Sequence, residues 1–147
     1  MSYILSQILK KKVPEWNEQI ITENLFYSIC SRAEVGFIES DDAKAQGEYI
    51  VHEGVPIIIL SKRTKPQMRP WIMLHELGHH LLHYPTMHRF SKSIFSRIDR
   101  ETNYFAAIGL MPTWLVKAKT PGEIAAEYGY PKEIIEIRRE ITVNFGI

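Results

Sequence analysis

The residues best suited to chemistry cluster at His75-Glu76-Leu77-Gly78-His79, an H-E-x-x-H sequence. On a helix, residues four apart share a face about one turn apart, so both imidazoles can reach one ion. Neutral imidazole suits Zn²⁺, and a catalytic zinc keeps three protein ligands plus an open position. Glu76 stands beside the pair and can take a proton from water, whose pKa such a metal lowers from about 15.7 toward 7. The pattern points to metal-assisted hydrolysis, with His75 and His79 as ligands and Glu76 as general base. Around the same helix, Trp71, Leu74, Leu77, Gly78 and Leu81 make one apolar stripe with the two histidines at its edge. An interior Gly costs about 1 kcal/mol relative to Ala, so Gly78 implies close packing against a neighbour.

A third ligand must come from elsewhere. His83 continues the spacing, but it lies about 12 Å from His75 along a straight helix, too far for all three to converge. The longer pattern with a third His is absent, because Leu82 and Pro85 occupy the positions of its Gly and His. Two acids, Asp99 and Glu101, lie in a second helical stretch from about Arg97 to Leu110. Glu101 falls within the apolar stripe of Ile98, Phe105 and Ile108, where a carboxylate is costly unless paired or bound to metal. Asp99 is rotated away from that stripe and suits an N-cap. Glu101 is therefore the expected third ligand, with a salt bridge as its alternative role. His83 is expected to hydrogen-bond behind the ligands or at the helix end, or else to polarise the substrate carbonyl. Tyr104 and His88 are candidate oxyanion stabilisers, weighed against a packed tyrosine and a loop histidine.

The elements that must hold these residues follow from pattern and punctuation. Pro70 can open the H-E-x-x-H helix, and Tyr84-Pro85 ends it near His83. Glu48 to Val51 and Val55 to Leu60 read as a hairpin across His52-Glu53-Gly54, and Gly36-Phe37-Ile38 as a short strand. Residues 15 to 31 carry apolar side chains at helical spacing from Trp16 to Cys30. Thr120-Pro121-Gly122-Glu123 combines a capping box with Pro at the first helical position. That helix ends near Gly129, and Pro131 starts another with Ile134, Ile137, Ile141 and Phe145 on one face. The expected class is α+β: a small sheet with a hairpin packed on several helices, around a zincin-like H-E-x-x-H helix.

Bulk properties narrow the function further. A length of 147 residues fits one domain, taken as 1–147. The net charge of +1 argues against a dedicated polyanion binder. The lone Cys30 allows neither an internal disulfide nor a cysteine-based zinc site within the chain. Tyr3 to Leu9 is short and runs into Lys10-Lys11-Lys12, the wrong order for a secretory signal, and no apolar run is long enough to span a bilayer. The triple lysine reads as a solvated face. The expected address is the cytoplasm, with no membrane partner.

Two motifs, Trp71-Ile72-Met73-Leu74-His75-Glu76-Leu77-Gly78-His79-His80-Leu81-Leu82-His83 and Glu101-Thr102-Asn103-Tyr104-Phe105-Ala106-Ala107-Ile108-Gly109-Leu110-Met111-Pro112, resemble the ImmA/IrrE family of metallopeptidases over about residues 50 to 140. The resemblance implies a thermolysin-like zinc site in which His75, His79 and Glu101 bind the metal and Glu76 is the base. It also implies a role in transcription regulation. Family members, often encoded by phages and mobile elements or stress-response systems, cleave or antagonise helix-turn-helix repressors. Thr102 stands where the family has a small Ala, and Gly109 where a larger apolar residue is common; neither is expected to touch a ligand. Residues of about 120–147 resemble the family's helix-turn-helix-like tail. There Arg138 and Arg139 are balanced by Glu133, Glu136 and Glu140, so packing or partner recognition is expected rather than direct nucleic-acid binding. The expected function is zinc-dependent cleavage of a peptide bond in a protein substrate such as a helix-turn-helix repressor. The alternatives are a non-proteolytic zinc-containing regulator that binds a repressor, and a DNA-binding regulator.

Overall fold

The structure, a computed structural model, describes residues 3–84 and 92–147, with side chains other than those of 92–96. Among the described residues the elements run α1 (Tyr3–Lys12), α2 (Glu23–Arg32), β1 (Gly36–Ser40), β2 (Gly47–His52), β3 (Val55–Ser61), α3 (Arg69–His83), α4 (Lys92–Leu110), α5 (Thr113–Ala118), α6 (Pro121–Tyr128) and α7 (Lys132–Phe145). Seven helices on one small mixed sheet make this an α+β fold, as the pattern predicts.

The hairpin forms where the sequence places it. Glu53 and Gly54 both have positive φ, 50° and 79°, the geometry of a two-residue turn that matches strand twist. That turn sets His52 opposite Val55 and Tyr49 opposite Ile58. β1 joins the other side of β3 in parallel, giving the order β1-β3-β2. Ile58 and Leu60 of the central strand are fully buried.

α3 begins with Pro70 in its first turn and puts Trp71 to Leu74, Leu77 and Leu81 in the core. α4 lies across it. A Cβ on Gly78 would stand 3.1–3.2 Å from Thr102 and Phe105, so the missing side chain lets the two helices approach closely. The expected neighbour of Gly78 is therefore α4.

The apolar period over residues 15–31 does not make one helix. Asn17 sits at φ 63°, and Thr22 caps α2 by accepting a hydrogen bond from Leu25 N, so helix starts only at Glu23. Trp16 reaches the core from a turn instead, where its ring N–H donates to Phe105 O at 3.0 Å. At the other end, the capping box at Thr120 and Glu123 forms as expected, and Gly129 ends α6 with φ 70°. Arg138 of α7 is 1% exposed and donates to Met111 O and Ile147 O, which ties the last helices to the end of α4.

Candidate metal centre and active site

The imidazoles of His75 and His79 project from successive turns of α3, with ring centroids 4.9 Å apart. One ligand atom from each, together with a carboxylate oxygen of Asp99 from α4, all lie within 4.8 Å of one another. Two ring nitrogens and a carboxylate oxygen are the donor types that zinc accepts in catalytic sites. The residues present therefore fit a metal.

Glu101, the acid expected from its stripe, goes elsewhere. Its Oε1 lies 3.1 Å from His83 Nε2, and the structure does not bring it into the cluster. The reason is packing. Thr102, fully buried, is the polar residue that completes the stripe between Ile98 and Phe105, and it presses on Gly78. Asp99, about 100° round from Ile98, lies at the margin of that contact, where its carboxylate approaches His75 and His79.

The ring orientations follow from partners on α4. His75 Nδ1 lies 2.9 Å from Asn103 Oδ1, and because a carbonyl oxygen only accepts, this contact puts the His75 proton on Nδ1 and leaves Nε2 with the long approach of Thr102 Oγ1 at 3.5 Å. Thr102 Oγ1 approaches the same nitrogen at 3.3 Å while also bonding the Ile98 and Asp99 carbonyls. This corrects the expectation that Thr102 touches no ligand candidate. The sequence pattern alone assigns Asn103 and Thr102 no role in the site. The available signal was spacing, since Asn103 stands four residues after Asp99 and shares its face.

The pocket's electrostatics suit neutral imidazoles and a weakly ionised acid. Burial pulls His79 down to about 3, helped by His75 and His83, and lowers His75 and His83 as well. Burial pushes Glu76 up to about 7, with the charges of Asp99 and Glu48 adding to it. Glu76 is pressed between α3 and β2 at Gly47, where a Cβ would overlap Ile72 Cγ2 and stand 3.2 Å from Glu76 Cγ. A cleft of about 330 Å³ opens there, walled by Gly47, His75, Glu76 and Asn103.

Tyr104 is not on that cleft. Its ring packs against Trp16 and Phe145, and its hydroxyl hydrogen-bonds with Ser6 Oγ at 3.0 Å. His83 is buried beside His79. His88 lies outside the described residues.

Residues 30–140 of the 147 match the family described as IrrE N-terminal-like domain, peptidase family M78. The chain belongs to that family. Membership agrees with the resemblance carried by the two motifs, both of which lie inside the matched segment. For this IrrE-like chain it makes a metallopeptidase-type function the coarse class, with a protein as substrate. Comparison with curated proteins gives no match. Among the described residues, no helix is long and apolar enough to cross a membrane.

Proposed function

We propose that the protein is a zinc-dependent endopeptidase in which His75, His79 and Asp99 hold the metal and Glu76 is the general base. The observation that carries this reading is the convergence of two imidazoles and one carboxylate within 4.8 Å, beside a buried acid poised near neutrality. Zinc, when bound, supplies Lewis-acid polarisation of a carbonyl and acidifies water. The chain does the rest. His75 and His79 stay neutral and so keep ring lone pairs for the metal. Glu76, with a pKa close to ambient pH, accepts the proton of the attacking water and returns it to the leaving amine. The peptide lies in the cleft that exposes both His75 and Glu76.

The substrate class rests on the family resemblance, which points to a helix-turn-helix repressor, hence to transcription regulation in the cytoplasm and to phages or mobile elements. The C-terminal helices serve packing or partner recognition in this reading. Arg138, the buried cation of α7, is spent on backbone carbonyls and the Thr142 hydroxyl rather than offered to phosphate.

The test is metal analysis of the purified protein together with Glu76→Gln. The parent should hold about one chelator-removable zinc per chain. The variant should keep the zinc and lose about 10²- to 10⁴-fold in the rate of repressor cleavage, followed by mass spectrometry. A parent that takes up no zinc ends the reading. A variant that cleaves as fast as the parent removes Glu76 as the base, and a variant that cleaves nothing yet relieves repression as well as the parent leaves a binding protein in place of a peptidase.

A further inference from the structure

Glu101 and His83 are left over once Asp99 completes the cluster, and they are not idle. His83 is buried between the two other partners: its Nδ1 lies 3.4 Å from His79 Nδ1, and its Nε2 lies 3.1 Å from Glu101 Oε1. The Glu101 side chain retains 21% exposure and that of His83 only 5%, so the pair reaches from the surface to the back of a candidate ligand.

Proton accounting orders the chain of contacts. An ionised carboxylate only accepts, so the proton on His83 sits on Nε2, facing Glu101. Neutral His83 then turns its Nδ1 lone pair toward His79. The group opposite it is His79 Nδ1, which must carry a proton to make the contact favourable. His79 is left with Nε2 bare, the nitrogen available to a metal. The 3.4 Å separation is long for an N–H···N bond, so the effect is to select tautomer and ring orientation rather than to add much energy.

We propose that Glu101 and His83 form a two-step relay that holds His79 as the Nδ1–H tautomer with Nε2 free for the metal, and that neither residue is a ligand. The proposal rests on the reading of His75, His79 and Asp99 as a metal site. It also separates two imidazoles on one helix: His75 is oriented directly by the Asn103 amide oxygen, His79 at one remove by a carboxylate. Glu101 is thus a positioning residue, and its influence depends on His83 being present.

That dependence is what to measure. Zinc affinity is determined by chelator competition for the parent, Glu101→Ala, Glu101→Gln, His83→Phe and the Glu101→Ala/His83→Phe double variant. Visible absorption of the cobalt(II)-loaded proteins reports the ligand set. Each of Glu101→Ala and His83→Phe should weaken zinc by about 10- to 100-fold, the range for a partner behind a ligand. The double variant should be no weaker than the worse single variant. Glu101→Gln should recover much of the loss, because its amide oxygen still accepts from His83 Nε2, and the cobalt spectra should keep the parent's band positions and intensity. An altered cobalt spectrum in Glu101→Ala, with a far larger loss of zinc, makes Glu101 a ligand and overturns the relay. Losses that add in the double variant, or parent-like affinity in both single variants, overturn it as well while leaving the metal site standing. A parent that binds neither ion overturns the metal reading and the relay together.

Discussion

α3 carries four histidines, and two sides of the helix use them in opposite ways. On the side facing β2 and the end of α2, His80 has both ring nitrogens spent. Nδ1 meets the Tyr49 hydroxyl at 2.8 Å, and Nε2–H donates to Ala33 O at 2.8 Å. On the side facing α4, His75 and His79 each have Nδ1 engaged, by Asn103 and His83, and their rings converge with Asp99. Burial lowers the pKa of all four, so charge state does not separate them. What separates them is the unspent lone pair. His80, with a partner at 2.8 Å on each ring nitrogen, is a brace between elements, whereas the contacts of His75 and His79 fall chiefly on Nδ1, with Thr102 Oγ1 3.5 Å from His75 Nε2.

The strongest way to break this contrast is to delete one histidine from each side. Apparent zinc free energies of about 10–16 kcal/mol in structural sites, shared over a few ligands, put the loss for His79→Ala near 10³-fold. Asp99→Ala should lose about as much, while His80→Ala stays within a few-fold of the parent in a zinc competition titration. If His80→Ala releases zinc as readily as His79→Ala, counting spent nitrogens does not identify ligands.

The acid between the two sides gives the next effect. Glu76 is held at about 7 in the folded, metal-free protein against an ordinary 4.5, so its ionised form penalises the folded state. The penalty is absent below pH 4.5, grows as pH rises, and is complete above about 7. At 1.36 kcal/mol per pH unit it reaches about 3 kcal/mol. Metal-free Glu76→Gln should therefore be more stable than the metal-free parent by about that amount at pH 8, with the gap closing toward pH 4. Urea unfolding at the two pH values checks it; a gap independent of pH refutes the burial argument.

Smaller effects test the brace side. Gly47→Ala forces a methyl group into Ile72 and should cost about 1–3 kcal/mol, the range for overpacking. A thermally unchanged variant would mean that β2 moves freely off α3. Tyr49→Phe removes one of the two His80 partners and should cost about 1 kcal/mol in denaturant unfolding. Zinc affinity should not change in that variant, and a drop would couple the two sides of α3.

What the sequence determined by itself is local. The span of α3, the Glu53-Gly54 hairpin and the Thr120–Glu123 capping box each depend on residues within four or five positions of one another, and each forms where it was read. The same holds for His75, Glu76 and His79 sharing one stretch of helix. Periodicity over 15–31 misled because apolar residues reach a core equally well from a turn, as Trp16 does, and the short α5 carried no signal that was read. The tertiary structure alone decided which acid of α4 meets the histidines. Asp99 and Glu101 are two residues apart and chemically alike, so the choice lies in the rotation of α4 on α3. That rotation is fixed by the close seam of Gly78, Thr102 and Phe105, a contact between residues more than twenty positions apart that no local pattern records.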